Sequence, residues 1–292
     1  MGKLRRLQPV AVAFLLCLVL SACGGTRRNI FRHHRPVTGT SPALKVATRD
    51  ELNAIIARTY NAIQSFSATS VTLSASSGSV YTGKIVDYQA LKGVILYRKP
   101  DDIRIQANLP LISKVAFDMV SNGTNFRFYY PNNNLFVEGL NSAPATSANK
   151  MENLRPEAFL SSMLIRPWDP ATESVMLKDA TDEDNALYRL EFNLKGRDGT
   201  PIPGREILFD REDLSIVRQF TYDDLGNIVS DTSYSEWRLF DGVSFPAHID
   251  INRRIDGYGV AIEILKMDMN KEIANKQLVL EQPEGSKLQE IK

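Results

Sequence analysis

From about residue 70 onward, apolar and polar residues take turns. Val71, Leu73 and Ala75 alternate with serine and threonine, the period-two signature of a strand with one buried face. Val94 and Leu96 carry the pattern to a turn at Lys99-Pro100-Asp101-Asp102. Ile103, Ile105 and Ala107 then alternate with Arg104 and Gln106, and Val115, Phe117 and Met119 follow suit. Asn122-Gly123 marks a hairpin turn before Phe126, Phe128 and Tyr130, and residues 131–134 turn the chain into Leu135-Phe136-Val137. Residues 141–149 are rich in Ser, Ala, Thr and Asn and read as a loop. Strands resume at 174–178 and at Tyr188, Leu190, Phe192 and Leu194. After a loop predicted at 196–204, further strands cover 205–209, 215–222, 228–237, 245–255 and 258–269. Asp224-Leu225-Gly226-Asn227 and Asp256-Gly257 supply hairpin turns.

Two stretches break this rhythm with helical spacing. Asp50 is a predicted N-cap for a helix whose apolar face holds Leu52, Ile55, Ile56, Tyr60 and Ile63. Pro156 suits the first turn of a second helix, which carries Phe159, Leu160, Met163 and Leu164 to about residue 165, before Pro167 and Pro170. Roughly ten to twelve strands and two helices without βαβ alternation predict a mainly β (α+β) fold. A large antiparallel sheet of this length curls, and if the curl is incomplete the result is an incomplete β-barrel with about two helices as a lid on its open side. Residues 49–292 are expected to form this single domain. Ile55, Ile56, Tyr60, Leu160, Met163 and Leu164 from the helices, and Leu73, Leu96, Ile103, Ile105, Phe117, Met119, Phe126 and Phe128 from the sheet, would face each other. They line an apolar cavity if the curl is partly empty, or a dry core if it is filled.

The N-terminal segment has a different pattern. Lys3, Arg5 and Arg6 precede an apolar run over residues 10–20, too short to span a bilayer comfortably and typical of a secretory signal. Leu20-Ser21-Ala22-Cys23 closes the run and resembles the lipobox of bacterial lipoproteins. That resemblance implies cleavage after residue 22, diacylglycerol on the Cys23 sulfur and acylation of the new amine. The alternative is a plain signal peptide with an incidental cysteine. Residues 23–48, with Arg27, Arg28, Arg32, Arg35 and three glycine or proline breaks from Pro36 to Pro42, read as a lipidated tether. Its basic character fits either attraction to anionic head groups or a solvated spacer.

Composition narrows the chemistry. Cleavage would remove Lys3, Arg5 and Arg6 and no acidic residue, taking the formal net charge from +1 to −2. Such a domain has no bulk electrostatic reason to bind nucleic acid. Cys17 lies in the signal and Cys23 carries the lipid, so the folded part has no thiol for a disulfide, a metal or a nucleophile. His33 and His34 have no ligand cluster beside them, and no metal site is expected. There is no Gly-x-Ser-x-Gly elbow, P-loop or dinucleotide fingerprint. His248 reads as a strand histidine, Asp182-Glu183-Asp184 and Glu212-Asp213 as loop charges, and Trp168 and Trp237 as packing residues. The residues therefore imply no enzyme and no cofactor.

Lys99-Pro100-Asp101-Asp102-Ile103-Arg104-Ile105, then Leu109-Pro110-Leu111 and the strand after Lys114, resemble the outer-membrane lipoprotein carrier and receptor family, LolA and LolB. So do residues Asp241-Gly242-Val243-Ser244-Phe245-Pro246-Ala247-His248-Ile249 and the order helix, strands, helix, strands. The resemblance implies a half-barrel with a helical lid over an apolar cavity that holds acyl chains of lipoproteins. The receptor is itself a lipoprotein, so Cys23 puts this chain on the receptor-like side. Gly24 is not the aspartate that retains many lipoproteins in the inner membrane, which implies the periplasmic face of the outer membrane. The receptor also has a projecting loop with an apolar tip, and Leu111 matches it by position. This chain is longer and has Ile112-Ser113 where a glycine is usual. Leu109, Leu111 and Ile112 are thus candidates for contact with a bilayer or cargo, or else they fold back onto the sheet edge. The expected function is binding of acyl chains or lipoproteins during lipoprotein localisation or envelope biogenesis. The alternative is an envelope scaffold or stress-sensing module that uses the fold to bind a periplasmic protein.

Overall fold

The computed structural model describes residues 43–79, 84–87, 89–110, 114–143, 154–196 and 199–291. In chain order these hold helix α1 (Arg49–Ala62), strands β1 (Ser65–Ser79), β2 (Lys84–Asp87), β3 (Leu91–Arg98), β4 (Asp102–Asn108), β5 (Val115–Asn122), β6 (Asn125–Tyr130) and β7 (Leu135–Leu140). Helix α2 (Pro156–Met163) follows. The chain continues with β8 (Glu173–Asp179), β9 (Leu187–Lys195), β10 (Pro201–Asp210), β11 (Ile216–Tyr222), β12 (Ile228–Phe240), β13 (Val243–Arg253), β14 (Tyr258–Met269) and β15 (Lys287–Ile291).

All fifteen strands belong to one sheet, ordered β15-β7-β6-β5-β4-β3-β1-β14-β13-β12-β11-β10-β9-β8, with β2 beside β1. Every pairing is antiparallel except β15 on β7. The end strands β15 and β8 do not pair, so the curved sheet stays unclosed. The expected fold class, a mainly antiparallel curled sheet with two helices, is what the chain adopts.

The alternation sorts the faces. Ile103, Ile105 and Ala107 are fully buried on the inner face of β4, while Asp102, Arg104 and Gln106 point outward. Phe126 and Phe128 do the same for β6, as do Leu190 and Phe192 for β9. Both helices pack on this inner face, α1 against β13 and β8, and α2 against β4, β5 and β13. Helix α1 buries Leu52 and Ile56 there, each contributing about 1.5–3 kcal/mol. Helix α2 buries all but Glu157 and Ser161.

Three placements need correction, and the described residues hold fifteen strands where roughly ten to twelve were predicted. The α1 cap is Thr48, not Asp50: the Thr48 hydroxyl accepts from the Glu51 N–H, and the Glu51 carboxylate accepts from the Thr48 N–H at 2.7 Å. The capping box outcompetes Asp50 because it satisfies two end groups at once. Leu96 lies on the outer face, since the buried phase of β3 is Gly93, Ile95 and Tyr97. Cross-strand pairing sets that phase, with Ile95 opposite Ile105 and Leu96 opposite Arg104. Residues 201–204 are strand rather than loop. Pro201 and Pro203 are tolerated because this stretch pairs only with β9, and β11 joins β10 at Arg205. Finally, the chain after β14 has structure that the alternation did not show.

That final segment straps the outer face. Arg98 donates to the Ile273 carbonyl at 3.1 Å, Arg104 to those of Gln277 and Val279 at 3.0 and 3.3 Å, and Arg127 to that of Leu280 at 3.3 Å. Leu280 covers Val120 and Phe136 in a small second core, which explains why β5 is buried on both faces.

Candidate functional site

One apolar cavity of about 230 Å³ opens between the inner face of the sheet and the start of α2. Its walls are Leu73 and Ala75 of β1, Leu91 of β3, Ala116 and Phe117 of β5, Phe128 and Tyr130 of β6, and Val260 of β14. Leu109, just past β4, completes the wall, and Leu154 and Phe159 form the roof. Gln89 and Asn132, both exposed, are the two carboxamides that line it. Ala75, on the inner face of β1, leaves room where larger side chains fill that face elsewhere, and Ala116 reaches the cavity beside a register shift between β4 and β5.

The expected residues divide around this cavity. Leu73, Phe117, Phe128 and Leu109 line it. Ile103, Ile105, Met119, Phe126 and Leu160 sit in the surrounding packed core, with Ile55 packed against it. Ile56, Tyr60, Met163 and Leu164 border a separate cleft of about 20 Å³ beside Trp237 and Phe245, too small for a ligand. Leu96 lies on the far side of the sheet. Sequence reasoning missed Ala75, Leu91, Ala116, Tyr130, Leu154, Phe159, Val260, Gln89 and Asn132 as lining residues; Ala75, a small residue in the inward phase of β1, was the available cue, whereas Ala116 falls in the outward phase of the alternation and lies beside a register shift between β4 and β5. Cys23, Leu111, Ile112 and residues 1–42 lie outside the described residues, as do 144–149 of the expected 141–149 loop.

A polar latch holds the far end of α2. The Tyr234 hydroxyl donates to the Ser162 carbonyl at 2.8 Å, the Thr232 hydroxyl meets the Ser162 hydroxyl at 3.2 Å, and Gln219 donates to the Ser161 carbonyl at 3.3 Å. Ser162, Gln219, Thr232 and Tyr234 are all buried, which strengthens these bonds. Burial pushes the Tyr234 phenol well above its ordinary pKa. At the near end, buried Arg155 lies over the Phe126 ring, 4.7 Å from its centroid, and donates to the Leu154 carbonyl at 3.0 Å. Burial lowers the Arg155 pKa and raises that of Glu157. The cavity roof is therefore a short helix pinned at its C-terminal end by hydrogen bonds.

The remaining chemistry is dispersed. His248 Nε2 lies 3.0 Å from Asp250 on the outer face. Asp182, Glu183, Glu212 and Asp213 are exposed in turns. The indole N–H groups of Trp168 and Trp237 donate to the Glu173 and Ile216 carbonyls at 3.1 and 3.0 Å. Among the described residues no group of three or more His, Cys, Asp or Glu is placed to hold a metal ion. A wider groove of about 900 Å³ runs under the outer strap, but it is open and lined by the ion-paired Arg98, Asp102, Arg127 and Glu138.

No family model matches the chain, and no curated protein matches it by sequence. Solved structures do match its fold. A DUF1329 family protein from Desulfovibrio piger superposes with a TM-score of 0.52 at 15% identity, covering 78% of this chain and 94% of that one. A domain named for outer membrane lipoprotein sorting, from Vibrio parahaemolyticus, gives 0.51 at 8% identity over 78% of this chain and 94% of its own. A LolA superfamily protein from Nitrosomonas europaea gives 0.49 at 11% identity, over 78% and 97%. At these identities the likeness to the first two is one of fold alone.

Proposed function

We propose that this protein is a lipid-anchored binding protein of the bacterial envelope that holds acyl chains in the cavity beneath α2. The observation that carries the reading is the cavity itself. It is walled by Leu73, Phe117, Phe128, Phe159 and Val260, and among the described residues its polar side-chain groups are those of Gln89, Asn132 and Tyr130. A space of this kind, in an otherwise close-packed interior, is costly unless something fills it. The fold's likeness to a domain named for lipoprotein sorting supports the same ligand chemistry. Cys23 would carry the anchor, and Gly24 favours the outer membrane, periplasmic side. The reading is of a binding protein, not an enzyme.

Native mass spectrometry of the purified protein tests it. Co-purified lipid, removed by Ala116→Phe with the fold retained, is the expected result. A protein that neither carries lipid nor takes up added amphiphile overturns it.

One observation favours the second reading, a scaffold that binds a protein. The half of the barrel under α1 is filled by bulky side chains, Ile56, Ile63, Met163 and Phe245 among them. That half has no room for cargo, and a protein partner would dock outside it.

A further inference from the structure

We propose that the cavity accepts one acyl chain of a single-chain amphiphile with a neutral, hydrogen-bonding head, and excludes lipids that must bury two or three chains. This deepens the acyl-binding reading above and rests on it.

Volume is the first argument. A closed apolar cavity of about 150 Å³ holds benzene, so six carbons fit there. Scaled on that basis, the 230 Å³ here holds about nine carbons, which is one short chain or the terminal half of a long one. Phe117, Phe128 and Phe159 bound the space and are themselves buried. They are held by their own packing and leave no lateral room for a second chain.

Polarity is the second. Among the described residues that line it none is charged. Gln89 and Asn132 are exposed and sit at the mouth, with the half-buried Tyr130 beside them. Carboxamides and a phenol offer donors and acceptors to a hydroxyl, ester or amide, but no counter-charge to a carboxylate or phosphate. The head that fits is neutral, as in a monoacylglycerol.

Displacement of a bound fluorescent acyl probe from the delipidated protein tests the inference. The competitors are monoacylglycerols of graded length, the fatty acids of matching length, a diacylphosphatidylcholine and a triacylated lipopeptide. Affinity for the monoacylglycerols should tighten about fourfold per added methylene and level off near ten carbons. Fatty acids should bind more weakly than monoacylglycerols of equal chain length, and the two- and three-chain lipids at least tenfold more weakly. Phe159→Ala should move the plateau to longer chains. One-to-one binding of the triacylated lipopeptide as tight as the best monoacylglycerol would overturn the one-chain inference while leaving acyl binding standing. Affinity that keeps rising to sixteen carbons would do the same. Failure of every amphiphile to displace the probe or to bind would overturn both.

Discussion

Arg104 lays one edge of its guanidinium on Asp118, Nε to Oδ1 at 3.0 Å and Nη2 to Oδ2 at 2.7 Å. The remaining nitrogen donates to the Gln277 and Val279 carbonyls. One side chain thus joins β4 to β5 and ties the C-terminal strap to both. The Asp118 side chain is only 6% exposed against 21% for Arg104, so the acid depends on its partner. Arg104→Ala should lower stability by about 2–3 kcal/mol, the cost of a buried carboxylate losing its fork. Arg104→Lys should recover part of the loss, because a point charge replaces a bidentate donor. Urea denaturation measures both. Limited proteolysis should also find new cleavage between residues 270 and 286 in the alanine variant. Equal stability of all three proteins would show that the strap is held elsewhere.

Gly139 on β7 is the second fastening of that strap. A Cβ there would collide with the Ile291 carbonyl and crowd the Ile291 side chain. Glycine is required because β15 approaches β7 closely. Gly139→Ala should therefore displace β15 and cost about 1–3 kcal/mol. Hydrogen exchange should speed up at the β7 edge and over 287–291, with the β1–β14 pairing unaffected. Unchanged exchange along 287–291 would mean that β15 tolerates the methyl.

These two sites show where the sequence was legible. Ile103, Ile105 and Ala107 alternate with Asp102, Arg104 and Gln106, so the inner face of β4 followed from period two alone. Val94-Ile95-Leu96-Tyr97 is apolar on both faces, and its phase depends on what lies opposite in β4. Lys287-Leu288-Gln289-Glu290-Ile291 has little strand character of its own. It becomes a strand because β7 offers an open edge and Gly139 lets it approach. The cavity was legible as an apolar inner face but not as a volume. It forms where residues of β1, β3, β5, β6 and β14 meet a roof of Leu154 and Phe159, which brings together distant parts of the chain.

Two buried tyrosines should respond oppositely to loss of the hydroxyl. Tyr234 donates to the Ser162 carbonyl, so Tyr234→Phe should cost about 1–2 kcal/mol at pH 7. The Tyr258 hydroxyl is buried without a hydrogen-bond partner among the described residues, so Tyr258→Phe should be neutral or stabilising. Burial pushes the Tyr258 pKa up to about 12. Raised folded values mean that the native state favours the neutral phenol. The associated stability is full below the unfolded pKa, about 10, and is lost as pH rises through the folded value. Thermal unfolding should therefore weaken between about pH 10 and 12, and Tyr258→Phe should make that decline shallower. Tyr97 and Tyr222 are also raised by burial, so the decline should not vanish. An unchanged alkaline profile in Tyr258→Phe would show that its phenol titrates freely in the folded protein.

Cys23→Ser tests the anchor. The lipobox resemblance assigns cleavage and acylation to this residue, and several acyl chains at about 0.8 kcal/mol per buried methylene hold a protein on a membrane almost irreversibly. The serine variant should remain as an unprocessed precursor or be released in soluble form. Retention of a mature-size variant in membranes after high-salt and carbonate washes would remove the anchor assignment.

The connector between β4 and β5 separates a wall residue from a contact residue. The Leu109 side chain is half-buried in the cavity wall, and its N–H donates to the Lys114 carbonyl at 2.8 Å, closing the connector at its base. Pro110 cannot donate to a ladder, so pairing ends there. Leu111 and Ile112 follow in sequence and lie outside the described residues. Leu109→Ala should cost about 1–2 kcal/mol, less than a fully buried leucine, and should weaken uptake of a monoacyl probe. If Leu111 meets the bilayer, as the receptor-loop resemblance implies, Leu111→Glu should leave the melting temperature and probe affinity unchanged yet slow transfer of the probe from vesicles, because a carboxylate repels the apolar bilayer interior. Stopped-flow transfer from fluorescent vesicles, read beside equilibrium binding, distinguishes these effects. If Leu111→Glu destabilises the protein as much as Leu109→Ala, Leu111 is a packing residue and the connector is not the point of contact.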